Sequence, residues 1–261
     1  MSRVPTISPG PSNALVDQPK TIFAHIAELR SCVVRALLGL AVGMAIALPF
    51  QSRLLMILVY PARGSLSHLT YLSPAEPFMT QFKLALVAGL LLALPYVVWQ
   101  LWTFVAPALY VREQRWIARL SGFSLGLFWL GVLFAYGVAI PFTMRFFQQY
   151  QNEFLFDNIT INNYVNFALA MLVAFGAAFQ LPLVLLFLMR TGLVTRARLA
   201  GNRRLVIVIV LIVAAVFTPA DVVSMFVMAV PLYALFEIAL GVELMIAARA
   251  ARAAQPQEPA S

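Results

Sequence analysis

Charge is what this chain has least of. Only 11% of its 261 residues are Asp, Glu, Lys or Arg, against roughly 25% in a soluble domain. So few charges cannot cover a water-facing surface, which argues against a soluble globular enzyme. Cysteine is almost absent as well, and the single Cys32 excludes an intramolecular disulfide. The two histidines, His25 and His68, stand alone, so no Cys/His cluster has metal-ligand spacing. Met1–Lys20 lacks the apolar core of a signal peptide and holds Pro, Ser, Gly and scattered charge instead. What the chain does have is hydrophobicity, 62% of its residues with a mean hydropathy of +0.88. That excludes intrinsic disorder and leaves a protein dissolved in a bilayer.

Six apolar runs approach the roughly 20 residues that a helix needs to cross a bilayer core. They are Cys32–Phe50, Phe82–Val105, Leu120–Thr143, Tyr164–Met189, Leu205–Phe217 and Val222–Phe236, the last extending with more polarity toward Ala248. None alternates with period two, so helices are expected rather than barrel strands. The fifth run has 13 residues and would reach about 20 Å, short of a core of about 30 Å. Spans five and six therefore read as a shallow hairpin, either buried among the other helices or thinning the bilayer around it. Pro49, Pro95, Pro141, Pro182 and Pro231 fall in five of the runs and predict a curved bundle. The expectation is an all-α integral membrane protein. A six-helix domain covers residues 21–249, between flexible tails at 1–20 and 250–261.

The formal net charge of +8 would suggest nucleic acid on a soluble protein. Its placement favours a membrane reading instead. Fourteen of the 18 Lys and Arg residues lie before the first run or at its edge (Arg35), between runs two and three, between four and five, or after six. The alternate loops hold only Arg53, Arg63, Lys83 and Arg145. By the positive-inside rule both termini are cytoplasmic. No nucleic-acid partner is expected.

Polar residues inside apolar runs are costly and therefore candidates for function. Gln180 in the fourth run serves either a helix–helix hydrogen bond, the carbonyl freed by Pro182, or a functional contact. Glu237 in the sixth either pairs with an Arg from a tail or acts as an intramembrane site. Glu28 and Glu113 lie on the cationic side of the protein. Each either balances neighbouring Arg or receives a cation from a partner. Catalysis lacks an inventory: no His stands within a run beside Ser121, Ser124 or Ser224, and there is no His-Glu-x-x-His, phosphate-cradling Gly-rich loop or acid cluster. No cofactor is implied.

The order of the short motifs resembles the TatC family, the core receptor subunits of the twin-arginine protein translocase. The resemblance rests on His25-Ile26-Ala27-Glu28-Leu29-Arg30, on Ser73-Pro74-Ala75-Glu76-Pro77-Phe78 with Lys83, and on the stretch from Pro95 to Tyr110 followed by Glu113. Phe134-Ala135-Tyr136, Phe175-Gly176 with Phe179-Gln180-Leu181-Pro182, Thr218-Pro219-Ala220-Asp221-Val222, and Pro231-Leu232 with Phe236-Glu237 continue it. The chain departs at Gln114, where an Arg often stands, at Ala220 in place of a second proline, and at Gln180, where many members carry Glu.

The resemblance implies a receptor for the signal peptides of folded cargo proteins, driven by the proton-motive force. Glu28 and Glu113 would hold the paired arginines, with Arg30, Phe104, Pro107 and Tyr110 shaping the site. A carboxylate accepts two parallel N–H bonds from a guanidinium, which Lys cannot offer. Gln180, Asp221 and Glu237 would be intramembrane polar or partner contacts, with single-span TatA- and TatB-type subunits docking on spans five and six. Self-association, contact with membrane lipid and a bacterial inner-membrane location are further expectations. A secondary transporter with Glu237 as proton site and a passive scaffold are the alternatives that the residues leave open.

Overall fold

The structure is a computed structural model that describes residues 22–64, 69–105, 117–149, 159–190, 192–218 and 222–254. The described residues are helical, with one isolated parallel bridge between Thr70 and Thr160. In chain order the helices are α1 (Ile22–Ala47), α2 (Gln51–Val59), α3 (Glu76–Val105), α4 (Ile117–Phe134), α5 (Ile140–Gln148), α6 (Ile161–Ala178), α7 (Leu181–Arg190), α8 (Arg196–Gly201), α9 (Arg203–Phe217) and α10 (Val222–Ala254).

Prolines set most of the breaks. Pro49 sits in a single 3₁₀ turn, Leu48–Phe50, that joins α1 to α2 without ending the helical rod. The first apolar span therefore runs over Ala27–Ala62, well past the Phe50 boundary read from sequence. Pro49 costs one backbone bond, and its fixed φ still suits a helical turn. Before Pro141 the chain widens into a π turn, Ala135–Ala139, in which the Ile140 N–H reaches the Ala135 carbonyl. The wider turn moves the Gly137 carbonyl away from the proline ring. Pro182 follows a break at Phe179–Gln180 that divides α6 from α7. Pro95 and Pro231 lie inside α3 and α10, which continue through them.

Five segments of the described residues are long and apolar enough to cross a membrane: Ala27–Ala62, Glu76–Leu101, Ser121–Gln148, Ile161–Met189 and Val222–Ala248. The fifth expected span appears as α9, which has 15 residues and reaches about 22 Å. The sixth differs from expectation. It is not short, because α10 has 33 residues and continues to Ala254, beyond the expected boundary at Arg249. The apolar run Val222–Phe236 is short, but the more polar segment toward Ala248 stays helical because it is rich in Ala, and the fold pairs Glu237 with Arg203.

α6 forms the centre. Half of its apolar window is buried, against 11% for the first span. Tyr164, Val165, Ala168, Met171 and Phe175 fill the interior between α3, α4 and α9. The outer faces stay apolar, with Leu38, Leu133 and Val230 all more than 60% exposed, as lipid-facing helices require.

Two crossings bring backbones into contact. A Cβ on Gly43 of α1 would overlap the Gly89 carbonyl oxygen of α3, and one on Gly89 would overlap the Met44 nitrogen. On α4, a Cβ on Gly131 would overlap the Phe175 carbonyl oxygen of α6. Small residues permit this approach, which supplies the dispersion contacts that hold helices together where no hydrophobic gradient exists. Gly89→Ala should therefore cost about 1–3 kcal/mol by overpacking. A lowered unfolding midpoint in detergent would report it, with Gly122→Ala, which meets nothing within 4 Å, left unchanged.

Candidate functional site

The antiparallel packing of α1 on α3 fixes what lies at each end. Gly43 meets Gly89, Gly39 faces the Tyr96 ring, and the Cys32 thiol donates to the Gln100 carbonyl oxygen at 3.4 Å. One turn further along the same register, Glu28 on α1 lies level with Phe104 at the end of α3. Both side chains are half-buried, and Arg30 beside them is exposed. The Ser31 hydroxyl donates to the Glu28 backbone carbonyl at 2.8 Å. α3 ends at Val105, so the chain leaves this same end toward 106–116. Pro107, Tyr110 and Glu113 lie outside the described residues, as does Asp221. The fold thus brings Glu28, Arg30 and Phe104 to one end of one helix pair.

Gln180 takes the structural role among those the sequence left open. Its Oε1 accepts from the Ser124 hydroxyl at 2.7 Å, and its Nε2 donates to the Ser124 carbonyl at 2.9 Å. Both ends of the amide are satisfied across the α4–α6 contact, in a place where neither group has water. The carbonyl freed by Pro182 is not its partner.

Glu237 is paired, but the guanidinium comes from α9 rather than from a tail. Arg203 Nε lies 3.0 Å from Oε1, Nη2 donates to Oε2 at 3.2 Å, and the Tyr233 hydroxyl donates to Oε1 at 2.8 Å. The two Arg contacts make a bidentate fork, which fixes the direction of the carboxylate. The fork ties the start of α9 to the middle of α10.

Other polar groups carry the opposite end of the bundle, and sequence reasoning missed them as a set. Glu76, the first residue of α3, accepts the backbone N–H groups of Leu72 at 2.7 Å and Asn162 at 3.2 Å. Thr160 caps α6 by accepting from the Asn163 N–H, and the Ile161 N–H donates to the Thr70 carbonyl at 2.8 Å. Lys83 donates to Asn162 Oδ1 and Asn166 Oδ1, both at 3.0 Å. Nearby, the hydroxyls of Tyr136 and Tyr164 donate to the carbonyls of Ile57 and Leu58 at 2.7 and 2.6 Å. Pro61 removes the i+4 donor of the Ile57 carbonyl, which keeps the Tyr60 N–H and gains the Tyr136 hydroxyl. The available signal was the proline itself: a freed carbonyl at bilayer depth demands a donor. No group of three or more His, Cys, Asp or Glu residues that would hold a metal occurs among the described residues.

The Ser124–Gln180 pair gives a direct test. Gln180→Leu and Ser124→Ala should each destabilise the protein. Their double-mutant cycle should yield a coupling of about 0.6–1.7 kcal/mol, measured by unfolding in detergent.

Comparison with known proteins agrees with this architecture. Residues 24–231 match the family described as Sec-independent protein translocase protein (TatC). The protein of that name from Carboxydothermus hydrogenoformans is 34% identical over 225 residues, covering 86% of this chain and 93% of its own length. The one from Deinococcus radiodurans is 37% identical over 251 residues, covering 91% and 88%. A crystal structure of the twin arginine translocase receptor TatC superposes with a TM-score of 0.76 at 34% identity, over 85% of this chain and 98% of that one. The chain belongs to the TatC family of Sec-independent protein translocase proteins.

Proposed function

We propose that this protein is the receptor subunit of a twin-arginine translocase, and that it binds the signal peptides of folded cargo through Glu28 and Glu113. The observation that carries the reading is the α1–α3 register. It sets a half-buried carboxylate, Glu28, level with Phe104 at the end from which the chain enters the segment holding Pro107, Tyr110 and Glu113. Acids on two separate elements suit two consecutive guanidinium groups, each taking paired N–H···O bonds. Arg30 limits how far a cationic peptide approaches except along the carboxylates.

The remaining parts follow the same reading. Six helices cross the membrane, α9 being the short fifth span, and both termini face the cytoplasm. Single-span TatA- and TatB-type subunits dock on α9 and α10, where Leu205, Val208, Ile212 and Val216 form an exposed apolar stripe. Gln180, Asp221 and Glu237 serve as intramembrane polar or partner contacts. The protein acts in a bacterial inner membrane, assembles with further copies of itself, catalyses no covalent reaction, and draws on the proton-motive force.

Glu28→Gln or Glu113→Gln should weaken capture of a twin-arginine signal by about ten- to a hundredfold, from the loss of charged hydrogen bonds of about 1.5–3 kcal/mol. Photocrosslinking from positions 28 and 113 to a labelled signal reads this directly. The crosslink should disappear when the paired arginines become lysines. Undiminished export by both variants would remove the assignment. Orientation has its own check in a Cys32→Ser background. Single cysteines placed in 107–115 should label from the cytoplasmic side, and those in 153–163 from outside.

A further inference from the structure

Lys83 stands apart from every other cation of the described residues. It lies on α3 among exposed apolar side chains, Phe78, Met79 and Phe82 being 66%, 53% and 45% exposed. Its ammonium is held by two neutral amide oxygens, Asn162 Oδ1 and Asn166 Oδ1, each at 3.0 Å. No carboxylate of the described residues is within ion-pair range of it. Glu76, two turns earlier on α3, spends its oxygens on the N–H groups of Leu72 and Asn162. Among the described residues, a full positive charge is therefore set at an exposed apolar surface without a counter-ion.

The hydrogen bonds fix what that surface offers. Lys83 can only donate, so both amide oxygens must face it, which orients both Asn side chains. Asn166 Nδ2 donates to Asn162 Oδ1 at 3.1 Å. Lys83 thus retains one N–H, Asn162 Nδ2 two and Asn166 Nδ2 one. The cluster presents donors and positive charge, the complement of an anionic oxygen pair.

Depth identifies the anion. The apolar run Phe82–Val105 is centred near Leu94. At 1.5 Å per residue Lys83 lies about 16 Å from that centre, at the edge of a hydrocarbon layer about 30 Å thick. That is the level at which the phosphodiesters of a phospholipid leaflet begin. We propose that Lys83, Asn162 and Asn166 form a binding site for the phosphodiester of a membrane phospholipid, which supplies the missing negative charge. Bound there, a lipid bridges α3 and the start of α6 on the face opposite to the cationic loops. The site is independent of the signal-peptide reading.

Lysine scarcity makes the site measurable. The chain has two lysines, Lys20 and Lys83, so in a Lys20→Arg variant an amine-reactive ester modifies one side chain only. The full-length variant is labelled in phosphate-free maltoside micelles, and modification at position 83 is followed by peptide mass spectrometry. Added phosphatidylglycerol should slow labelling about fivefold, corresponding to roughly 80% occupancy. A galactolipid with the same acyl chains and no phosphate should leave the rate unchanged. Asn166→Leu, which removes an exposed amide and keeps Lys83, should abolish most of the protection.

Equal protection by the galactolipid would reduce the effect to burial under acyl chains and overturn the proposal. Equal protection by inorganic phosphate at matched concentration would mean a soluble-anion site and overturn the lipid assignment. An unchanged rate with phosphatidylglycerol would leave Lys83 as a strut between α3 and α6 only. The lipid comparison uses the intact cluster, so it stands even where the Asn166 variant fails to fold.

Discussion

A backbone carbonyl at bilayer depth has no water to turn to, and this constraint organises the protein. A proline within a helix removes a donor, and a side chain from a neighbouring element can supply another. The Tyr136 hydroxyl reaches the Ile57 carbonyl, which loses its i+4 donor to Pro61 and keeps the Tyr60 N–H, and Tyr164 reaches Leu58 beside it. Across the bundle, Gln180 reaches the Ser124 carbonyl from the break that precedes Pro182. These side chains join α2 to the π turn and α6, and α4 to α6.

The fold was legible in the sequence because hydrophobic length is a one-dimensional property. Runs such as Tyr164–Met189 announce a spanning helix without reference to anything else. The misreadings arose where three dimensions decide. Glu237 in the sixth span read as pairing with an Arg from a tail, and only the return of α9 alongside α10 reveals Arg203 as its counter-ion, 34 positions away. The first span looked like a helix ending at Phe50 because a proline is a stop signal in a sequence but only one lost bond in a rod.

The candidate site was legible to a different extent. Glu28 and Glu113 stand out as acids on a basic side, which is a statement about charge balance and needs no fold. Their neighbourhood does need one. The level at which Glu28 meets Phe104 follows from Gly43 and Gly89, glycines that carry no functional signal of their own. Lys83 was visible as a motif member, yet its meaning depends on Asn162 and Asn166, which are 79 and 83 residues further along the chain.

Backbone contact between α1 and α3 has a mechanical consequence. Two helices whose backbones touch at a pair of glycines cannot roll about their own axes without collision at that crossing. A load applied near Glu28 can therefore be relieved only by tilting the pair as one stiff beam. The far end of that beam carries the Thr70–Thr160 bridge, so strain at one membrane face arrives at the other undiluted by side-chain slack.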